Sequence, residues 1–225
     1  MTKEEQKAIK EIGAEIKLEG TGEHNGYTFV DLGLPSGTLW ATCNVGAYNA
    51  GACGDYFAWG ETQPKKYYSR GTYKWCKKAW NKLTKYCDDT SCGYKGFVDN
   101  LTTLEACDDA ATANWGNGWR TPSQTEIQEL IDNCSCGWRK LNRTIGLLFT
   151  GPNGNSIFLP AGGSRMDGGR YGVGEHMSYL TNSLYSSGLA HIWTAEVTNE
   201  IGPRVNSFCS CGTGALVRPV CSIKV

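Results

Sequence analysis

The first stretch of the chain has the apolar pattern of a helix. Glu4 to Leu18 carries Ile9, Ile12 and Ile16 among Lys and Glu, the i, i+3, i+7 spacing of a narrow helical stripe. A single short helix cannot bury such a stripe by itself. We therefore predict an amphipathic helix and joint over residues 1–22. It packs either on the rest of the chain or on the same helix of a neighbouring subunit in a homo-oligomer.

Residues 23–225 follow a different pattern, in which short apolar or aromatic runs are separated by Gly, Asn and Ser. Such runs predict strands in loop-rich antiparallel sheets. The predicted strands are Tyr27 to Leu32, Thr38 to Ala41, Asp55 to Trp59, Ile157 to Pro160, Ile192 to Val197 and Leu216 to Val220. No longer sequence period repeats, which argues against solenoids and propellers.

Two helices are predicted among these strands. The first begins at Ser123, where the spacing to Glu126 forms a capping box, and ends near Cys134. Its inward face consists of three apolar residues, Ile127, Leu130 and Ile131. The second helix covers about Leu101 to Ala113. Strands with two helices give an α+β fold class.

Composition narrows the class of partner. The chain has 22 Lys and Arg and 22 Asp and Glu, so its formal net charge is zero. No excess of positive charge is available to attract a phosphate backbone, and nucleic acid is therefore not expected as a partner. The longest apolar runs, such as Ile145 to Phe149, fall far short of the roughly 20 residues of a spanning helix, so membrane insertion is not expected either. Met1 to Lys10 lacks the apolar core of a secretory signal peptide.

The 11 cysteines are many for a cytosolic enzyme and favour an oxidising compartment. Their odd number leaves at least one thiol unpaired within a chain. Four of them offer a set of zinc ligands in two Cys-x-Cys pairs, Cys134, Cys136, Cys209 and Cys211. That spacing differs from the Cys-x-x-Cys of zinc ribbons, so disulfides or buried thiols are the favoured interpretation, and no metal or cofactor is expected.

Six sequence motifs, read in order, resemble a known family. They are VDLGLPSGTLWAT at 30–42, GDYFAWGET at 54–62, DDAA at 108–111, WRTPSQTE at 119–126, GPNGNSIFLPA at 151–161 and VRPV at 217–220. In this order they resemble the major paralogous domain of Fibrobacter succinogenes, which is abundant in gut Bacteroidetes and their phages. The resemblance covers about residues 27–221. The WRTPSQTE and VRPV motifs are also similar to those of formylglycine-generating-type domains.

This resemblance implies a C-type-lectin-like fold for residues 23–225. In that fold the chain ends meet in one sheet, two helices flank it, and long loops form a binding face. Three tryptophans lie within the motifs and a fourth, Trp115, lies between two of them; we call all four the motif tryptophans. They carry large rings with one N–H donor each and are expected to be structural: Trp40, Trp59, Trp115 and Trp119.

Charged residues in the same motifs are also expected to be structural. Arg120 and Arg218 should hold loop carbonyls or nearby carboxylates with their planar forks. The candidate carboxylates are Asp108, Asp109 and Glu126. Asp55 and Glu61 are interpreted as buried acceptors rather than as a catalytic acid and base.

The resemblance ends within residues 174–215 and resumes at VRPV. Where family members carry Tyr-Trp-Ser-Ser, this chain has His176-Met-Ser-Tyr179. The contrast resembles the variable region of a diversity-generating retroelement target protein, and the Tyr, Ser and Asn content of the segment suits an adaptable binding surface. We expect the ligand-binding side chains to cluster on one exposed face. They are Tyr179, Asn182, Tyr185, His191, Trp193, Glu196, Asn206 and Phe208.

These observations favour a non-enzymatic binding protein, extracellular, on a cell surface or on a virion such as a phage tail. Its expected partner is a protein or glycan ligand on a cell surface. One alternative is an undiversified Bacteroidetes surface domain with an adhesive or structural role. Another is a formylglycine-generating-type oxidase, in which Cys209 and Cys211 would supply the thiolate pair. No catalytic residue is assigned, because the three histidines are too scattered along the chain to suggest a triad.

Overall fold

The computed structural model describes residues 18–77, 79, 81–196 and 203–222, without the side chains of residues 190–196 and 204–207. Most of the amphipathic helix predicted for residues 1–22 therefore lies outside the described residues. Within the described part, no helix is both long enough and apolar enough to cross a membrane.

The described chain is mostly sheet with two helices, an α+β arrangement. The helices are α1 (Ala110–Trp115) and α2 (Gln124–Asn133), and short 3-10 turns cover Arg70–Thr72, Tyr94–Gly96 and Ala106–Asp108. The first seven strands are β1 (Gly22–His24), β2 (Tyr27–Asp31), β3 (Leu39–Ala41), β4 (Trp119–Arg120), β5 (Ser135–Leu141), β6 (Thr144–Thr150) and β7 (Ser156–Pro160). The remaining strands are β8 (Ser164–Met166), β9 (Gly169–Tyr171), β10 (His176–Ser186), β11 (Leu189–Glu196), β12 (Arg204–Ser210) and β13 (Val220–Cys221).

The largest sheet joins early and late parts of the chain. Its order is β1-β2-β3-β13-β4, and all of its pairs are antiparallel. Val220 on β13 pairs with Trp40 on one side and with Arg120 on the other. Two three-stranded sheets, β5-β6-β7 and β10-β11-β12, and the hairpin β8-β9 complete the strand pairing.

Helix α2 confirms its sequence prediction because its start is encoded locally. The Ser123 hydroxyl accepts a hydrogen bond from the Glu126 N–H at 3.2 Å, and the Glu126 carboxylate accepts one from the Ser123 N–H at 2.8 Å. Ile127 and Leu130 are buried beneath it. The Cys134 N–H closes the last turn on the Leu130 carbonyl.

The other helix prediction, Leu101 to Ala113, is wrong in its first half, because α1 begins only at Ala110. The backbone before it bonds to strand β10 instead: the Leu104 N–H donates to the Asn182 carbonyl at 2.9 Å, and the Leu184 N–H donates to the Thr102 carbonyl at 2.8 Å. Long-range pairing thus overrides the helical pattern of this segment.

Two strand predictions also need correction. Asp55 to Trp59 forms only an isolated bridge from Phe57 to Ala215. Its alternate N–H groups bond to three separate segments, at Val45, Ala215 and Cys211, so no single ladder can form. The run Leu216 to Val220 reaches strand geometry only at its end, in β13.

The four motif tryptophans are buried, as predicted. The Trp59 indole donates to the Thr181 carbonyl at 2.8 Å, and the Trp119 indole donates to the His24 carbonyl at 3.0 Å. The rings of Trp115 and Trp119 meet edge to face at 5.1 Å between centroids. The indole rings bury a large apolar surface, and the N–H groups of Trp59 and Trp119 hold irregular backbone segments in place.

The Arg218 side chain is fully buried and joins three segments, as expected of a residue that holds loop carbonyls. It donates to the carbonyls of Ala41 and Phe158 at 2.9 and 2.8 Å and to the Asn44 amide oxygen at 2.8 Å. Burial lowers the pKa of Arg218, since these acceptors are uncharged.

Among the other charged residues of the motifs, Arg120 and Glu61 have the roles predicted for them, whereas Asp55 does not have its predicted burial. The Arg120 guanidinium donates to both carboxylate oxygens of Glu126, at 2.6 and 2.5 Å. Glu61 is buried and accepts from the Lys65 ammonium and the Lys74 N–H. Asp55, however, is exposed, so its predicted burial is wrong. Its carboxylate lies at the surface beside Gly46.

Candidate functional site

The segment 174–215 contains the antiparallel sheet β10-β11-β12. The register pairs Tyr179 with Trp193, and His191 with Phe208. Strand β10 has a register shift between Leu180 and Leu184. Because a bulge changes the local twist and the direction of side chains, the two halves of β10 lie in different surroundings.

Tyr185, in the second half of β10, and Phe208, on β12, form a pair that we call the aromatic pair. Their rings stack with centroids 4.5 Å apart and planes inclined by 19°. Tyr185 is 49% exposed and Phe208 is 51% exposed, so both rings offer large surfaces to solvent. Two of the eight predicted ligand-binding residues therefore come together on an exposed face.

Tyr179, in the first half of β10, does not join that face. It is 1% exposed, and its hydroxyl donates to the Pro160 carbonyl and accepts from the Asn44 amide, both at 3.1 Å. Burial raises the pKa of this hydroxyl well above its ordinary value. The expectation of an exposed Tyr179 is wrong, because residues 177–181 are buried throughout.

Asn182 lies in the bulged region and is partly buried. Its N–H donates to the Pro122 carbonyl at 2.9 Å, which ties β10 to the start of α2. The residue lines an open cavity of about 350 Å³ together with Trp119 and Arg120. The aromatic pair does not line this cavity.

The other four predicted residues are described only through their backbone. His191, Trp193 and Glu196 belong to β11, and Asn206 belongs to β12. Their side chains lie outside the described residues. The Cα pairing of His191 with Phe208 brings the middle of β11 next to the aromatic pair.

A second cavity, of about 200 Å³, opens beside the turn between β10 and β11. Several of its residues lie shortly after the aromatic pair along the chain, in the turn after β10 and at the end of β12. The lining residues are Arg70, Tyr73, Cys76, Leu83, Cys92, Ser187, Gly188, Leu189, Ser210, Cys211 and Gly212. We call this cavity the turn pocket. Arg70, Tyr73 and Leu83 carry no motif that would have identified them from the sequence.

Burial favours the protonated form of two cysteines in this region, Cys209 and Cys211. All eleven cysteines lie in the described residues, and none of them forms a disulfide. Burial raises the pKa of Cys209 to about 12 and raises the pKa of Cys211 well above its ordinary value. A thiolate is the reactive form of cysteine, so these two thiols are poorly suited to nucleophilic or redox chemistry at neutral pH.

The possible metal-ligand atoms of Glu105, Cys107 and Asp108 all lie within 4.8 Å of one another. They form the only such group of three in the described part of the chain. Asp108 already accepts from the Lys85 ammonium at 2.6 Å and from the Tyr86 hydroxyl at 2.9 Å. The Lys85 ammonium thus already balances the charge of the Asp108 carboxylate. The two Cys-x-Cys pairs that could have supplied zinc ligands, Cys134 with Cys136 and Cys209 with Cys211, do not form such a group within the described residues.

Comparisons with known proteins assign no family to the chain. No protein-family model, no curated protein and no solved structure matches it. The aromatic pair, the turn pocket and the strand register are therefore the observations that bear on function.

Proposed function

We propose that this chain is a non-enzymatic binding protein that uses the β10-β11-β12 sheet to hold a protein or glycan ligand on a cell surface. The stacked and exposed pair of Tyr185 and Phe208 is the observation that carries this proposal. Aromatic side chains supply a large contact area with little loss of conformational entropy, and they dominate the energetics of many interfaces.

The turn pocket adds an anchoring position next to this pair. Its volume of about 200 Å³ exceeds that of an engineered cavity of roughly 150 Å³ that holds benzene. One apolar side chain or apolar ligand group can therefore enter it. Anchors of this kind, surrounded by contacts that exclude water, supply most of the affinity at protein interfaces.

We propose a C-type-lectin-like fold for the scaffold, with residues 174–215 as its variable segment. Support comes from the five-stranded sheet that joins early and late strands, from the two helices, and from the buried motif tryptophans. In this proposal the protein is a diversity-generating retroelement variable protein, displayed outside the cell on a phage tail or bacterial surface.

The raised pKa values of Cys209 and Cys211 count against the alternative of a formylglycine-generating-type oxidase, which needs a thiolate pair. The alternative of an undiversified adhesive domain shares the scaffold and differs only in whether the exposed face varies. A reverse transcriptase gene and a template repeat matching residues 174–220 near this gene would separate the two.

A library experiment tests the binding proposal. Tyr185, His191, Asn206 and Phe208 are randomised together, and a matched library randomises buried residues of β10, including Tyr179. Both libraries are scored for folded protein and for binding to gut bacterial cells. We expect the first library to remain folded while its binding changes, and the second to lose folded members. General unfolding of the first library, or binding that its changes do not alter, would exclude this face as the binding site.

A further inference from the structure

The hairpin β8-β9 places two arginines opposite each other. Arg165 and Arg170 are Cα partners in the antiparallel register. Residues directly opposite in such a ladder lie on the same face, and like charges in this position repel. Among the described residues, neither guanidinium forms an ion pair with a carboxylate. Within the described residues, the pair therefore carries a concentrated positive charge that no carboxylate balances.

The arginine pair is held in place by its surroundings. The Arg165 guanidinium carbon lies 5.6 Å from the centre of the Tyr56 ring. Burial raises the pKa of the Tyr56 hydroxyl, and the charges of Arg170 and Arg165 act in the opposite direction, so both guanidinium groups lie close to it. The Arg165 Nε–H is buried and has no hydrogen-bond acceptor. An unsatisfied buried donor costs free energy that a nearby acceptor would recover.

The hairpin itself is rigidly attached. The backbone of Arg165 exchanges two hydrogen bonds with Gly214, at 2.7 and 2.9 Å, and the Asp167 N–H donates to the Tyr68 carbonyl at 2.9 Å. Asp167 and Gly168 both have positive φ, 50° and 98°, as a type I′ hairpin turn requires. The arginines thus have a preorganised backbone, which reduces the entropy lost on binding.

Exposed apolar residues surround the same hairpin. Tyr67, Met166, Tyr171 and Val173 are all exposed, and the Tyr67 ring lies against Gly168 at the hairpin tip. Arg, Tyr and Met are the residue types enriched at protein interfaces, whereas Lys is depleted there. This composition favours a protein partner, and the unpaired arginines require acidic side chains on it.

We infer that the β8-β9 hairpin is a second docking surface, which binds a partner protein through carboxylates placed against Arg165 and Arg170 and an apolar residue placed beside Tyr171. Guanidinium groups bind carboxylates through paired hydrogen bonds, so two neighbouring arginines suit adjacent Asp or Glu side chains. This surface goes beyond the proposed function, because it contains neither the aromatic pair nor the turn pocket.

Fluorescence anisotropy with three labelled probes tests this inference. The first probe is a peptide with glutamates flanking one leucine, the second has glutamine in place of glutamate, and the third is polygalacturonate. The variant R165Q/R170Q removes the arginine pair, and R139Q/K140Q removes the same charge from exposed positions on β5 as a matched control. The variant Y185A/F208A removes the aromatic pair and leaves the hairpin residues unchanged, so it distinguishes the two surfaces.

We expect the glutamate peptide to bind the unmodified chain more tightly than the glutamine peptide. R165Q/R170Q should weaken that binding about tenfold or more, while R139Q/K140Q and Y185A/F208A leave it nearly unchanged. Thermal melting checks that each variant is folded, and R170Q, at an exposed position, replaces the double variant if the latter unfolds.

Four results would overturn the inference. Equal losses in R165Q/R170Q and R139Q/K140Q would mean that only general charge matters. Binding of polygalacturonate without binding of the glutamate peptide would assign the arginines to an acidic glycan. Absence of binding by the glutamate peptide would remove the site. A loss confined to Y185A/F208A would bear on the proposed function and would leave the hairpin without a role in peptide binding.

Discussion

Tyr179 and Tyr185 lie on the same strand, β10, but Tyr179 is 1% exposed while Tyr185 is 49% exposed. A register shift lies between them, and it separates a half-strand packed in the core from the half-strand that carries Tyr185. The segment 174–215 is therefore part scaffold and part surface. Exposed positions such as Tyr185 on β10 and Phe208 on β12 can change with little cost in packing.

The contrast between these tyrosines gives the first prediction. Tyr179→Ala should lower the free energy of unfolding by about 3 to 5 kcal/mol, because it leaves a cavity and removes one of the hydrogen bonds of the buried Asn44 amide. Tyr185→Ala should cost only about 0.5 kcal/mol or little more, as surface replacements usually do. Denaturant melts measure both. Equal costs for the two variants would contradict the division of β10 into core and surface halves.

The second prediction concerns Trp119, whose buried ring also donates to the His24 carbonyl. Trp119→Ala should cost about 3 to 5 kcal/mol, since it removes a large apolar volume from a close-packed region. Trp138→Ala, at a partly buried position on β5, serves as the comparison and should cost less. A loss below about 1 kcal/mol for Trp119→Ala in denaturant melts would contradict the core role of this residue.

The third prediction concerns Glu126 and pH. Burial acts to raise the pKa of Glu126, but hydrogen bonds from Arg120 and Ser123 outweigh it, so the net pKa is lowered. The unfolded chain then binds this proton more tightly than the folded chain. Glu126 therefore adds stability above the unfolded pKa of about 4.3, and this stability is lost as the pH falls through the lower folded pKa.

Glu126→Gln should accordingly lower the free energy of unfolding by about 1 to 3 kcal/mol at neutral pH. The difference from the unmodified chain should shrink as the pH is lowered below about 4. Denaturant melts across the acid range measure this, with the exposed Glu23→Gln as the control. A difference that stays constant with pH would argue against the pairing with Arg120.

The fourth prediction concerns the buried thiols. In the folded chain, Cys209 and Cys211 should react far more slowly with a thiol reagent than the exposed Cys107 does, because burial keeps them protonated and covered. Mass spectrometry of labelled peptides, with and without denaturant, measures the rates. Rapid labelling of Cys209 in the folded chain would show that this site is open.

The same thiols permit a direct test of the oxidase alternative. We expect no copper-dependent oxidation of a cysteine-containing peptide. Turnover that Cys209→Ser or Cys211→Ser abolishes, while Cys107→Ser leaves it intact, would replace the binding proposal with an enzymatic one.

Locally encoded elements were predictable from the sequence. The start of α2 depends on Ser123 and Glu126, which contact each other within one helical turn, so the motif alone specifies it. Burial of the motif tryptophans was predictable in the same way, from their size and chemistry. The hairpin turn at Asp167 and Gly168 was missed, although an Asp-Gly pair is a recognised signal for a type I′ turn.

Features that depend on distant partners were not predictable. Tyr179 is buried because its hydroxyl meets Asn44 and Pro160, which are remote in the sequence. The extended backbone before α1 likewise depends on Asn182 in β10. The turn pocket unites three separate parts of the chain, and no spacing of its residues reveals that.

Strand β13 is synthesised after the whole of the segment 174–215, yet it lies between β3 and β4 in the five-stranded sheet. During translation, these two earlier strands therefore lack their shared neighbour until Val220 and Cys221 have left the ribosome. A gene copy that loses its reading frame inside the segment yields a chain without this strand. Such a product cannot complete the sheet, so folding depends on a reading frame that stays intact through this segment.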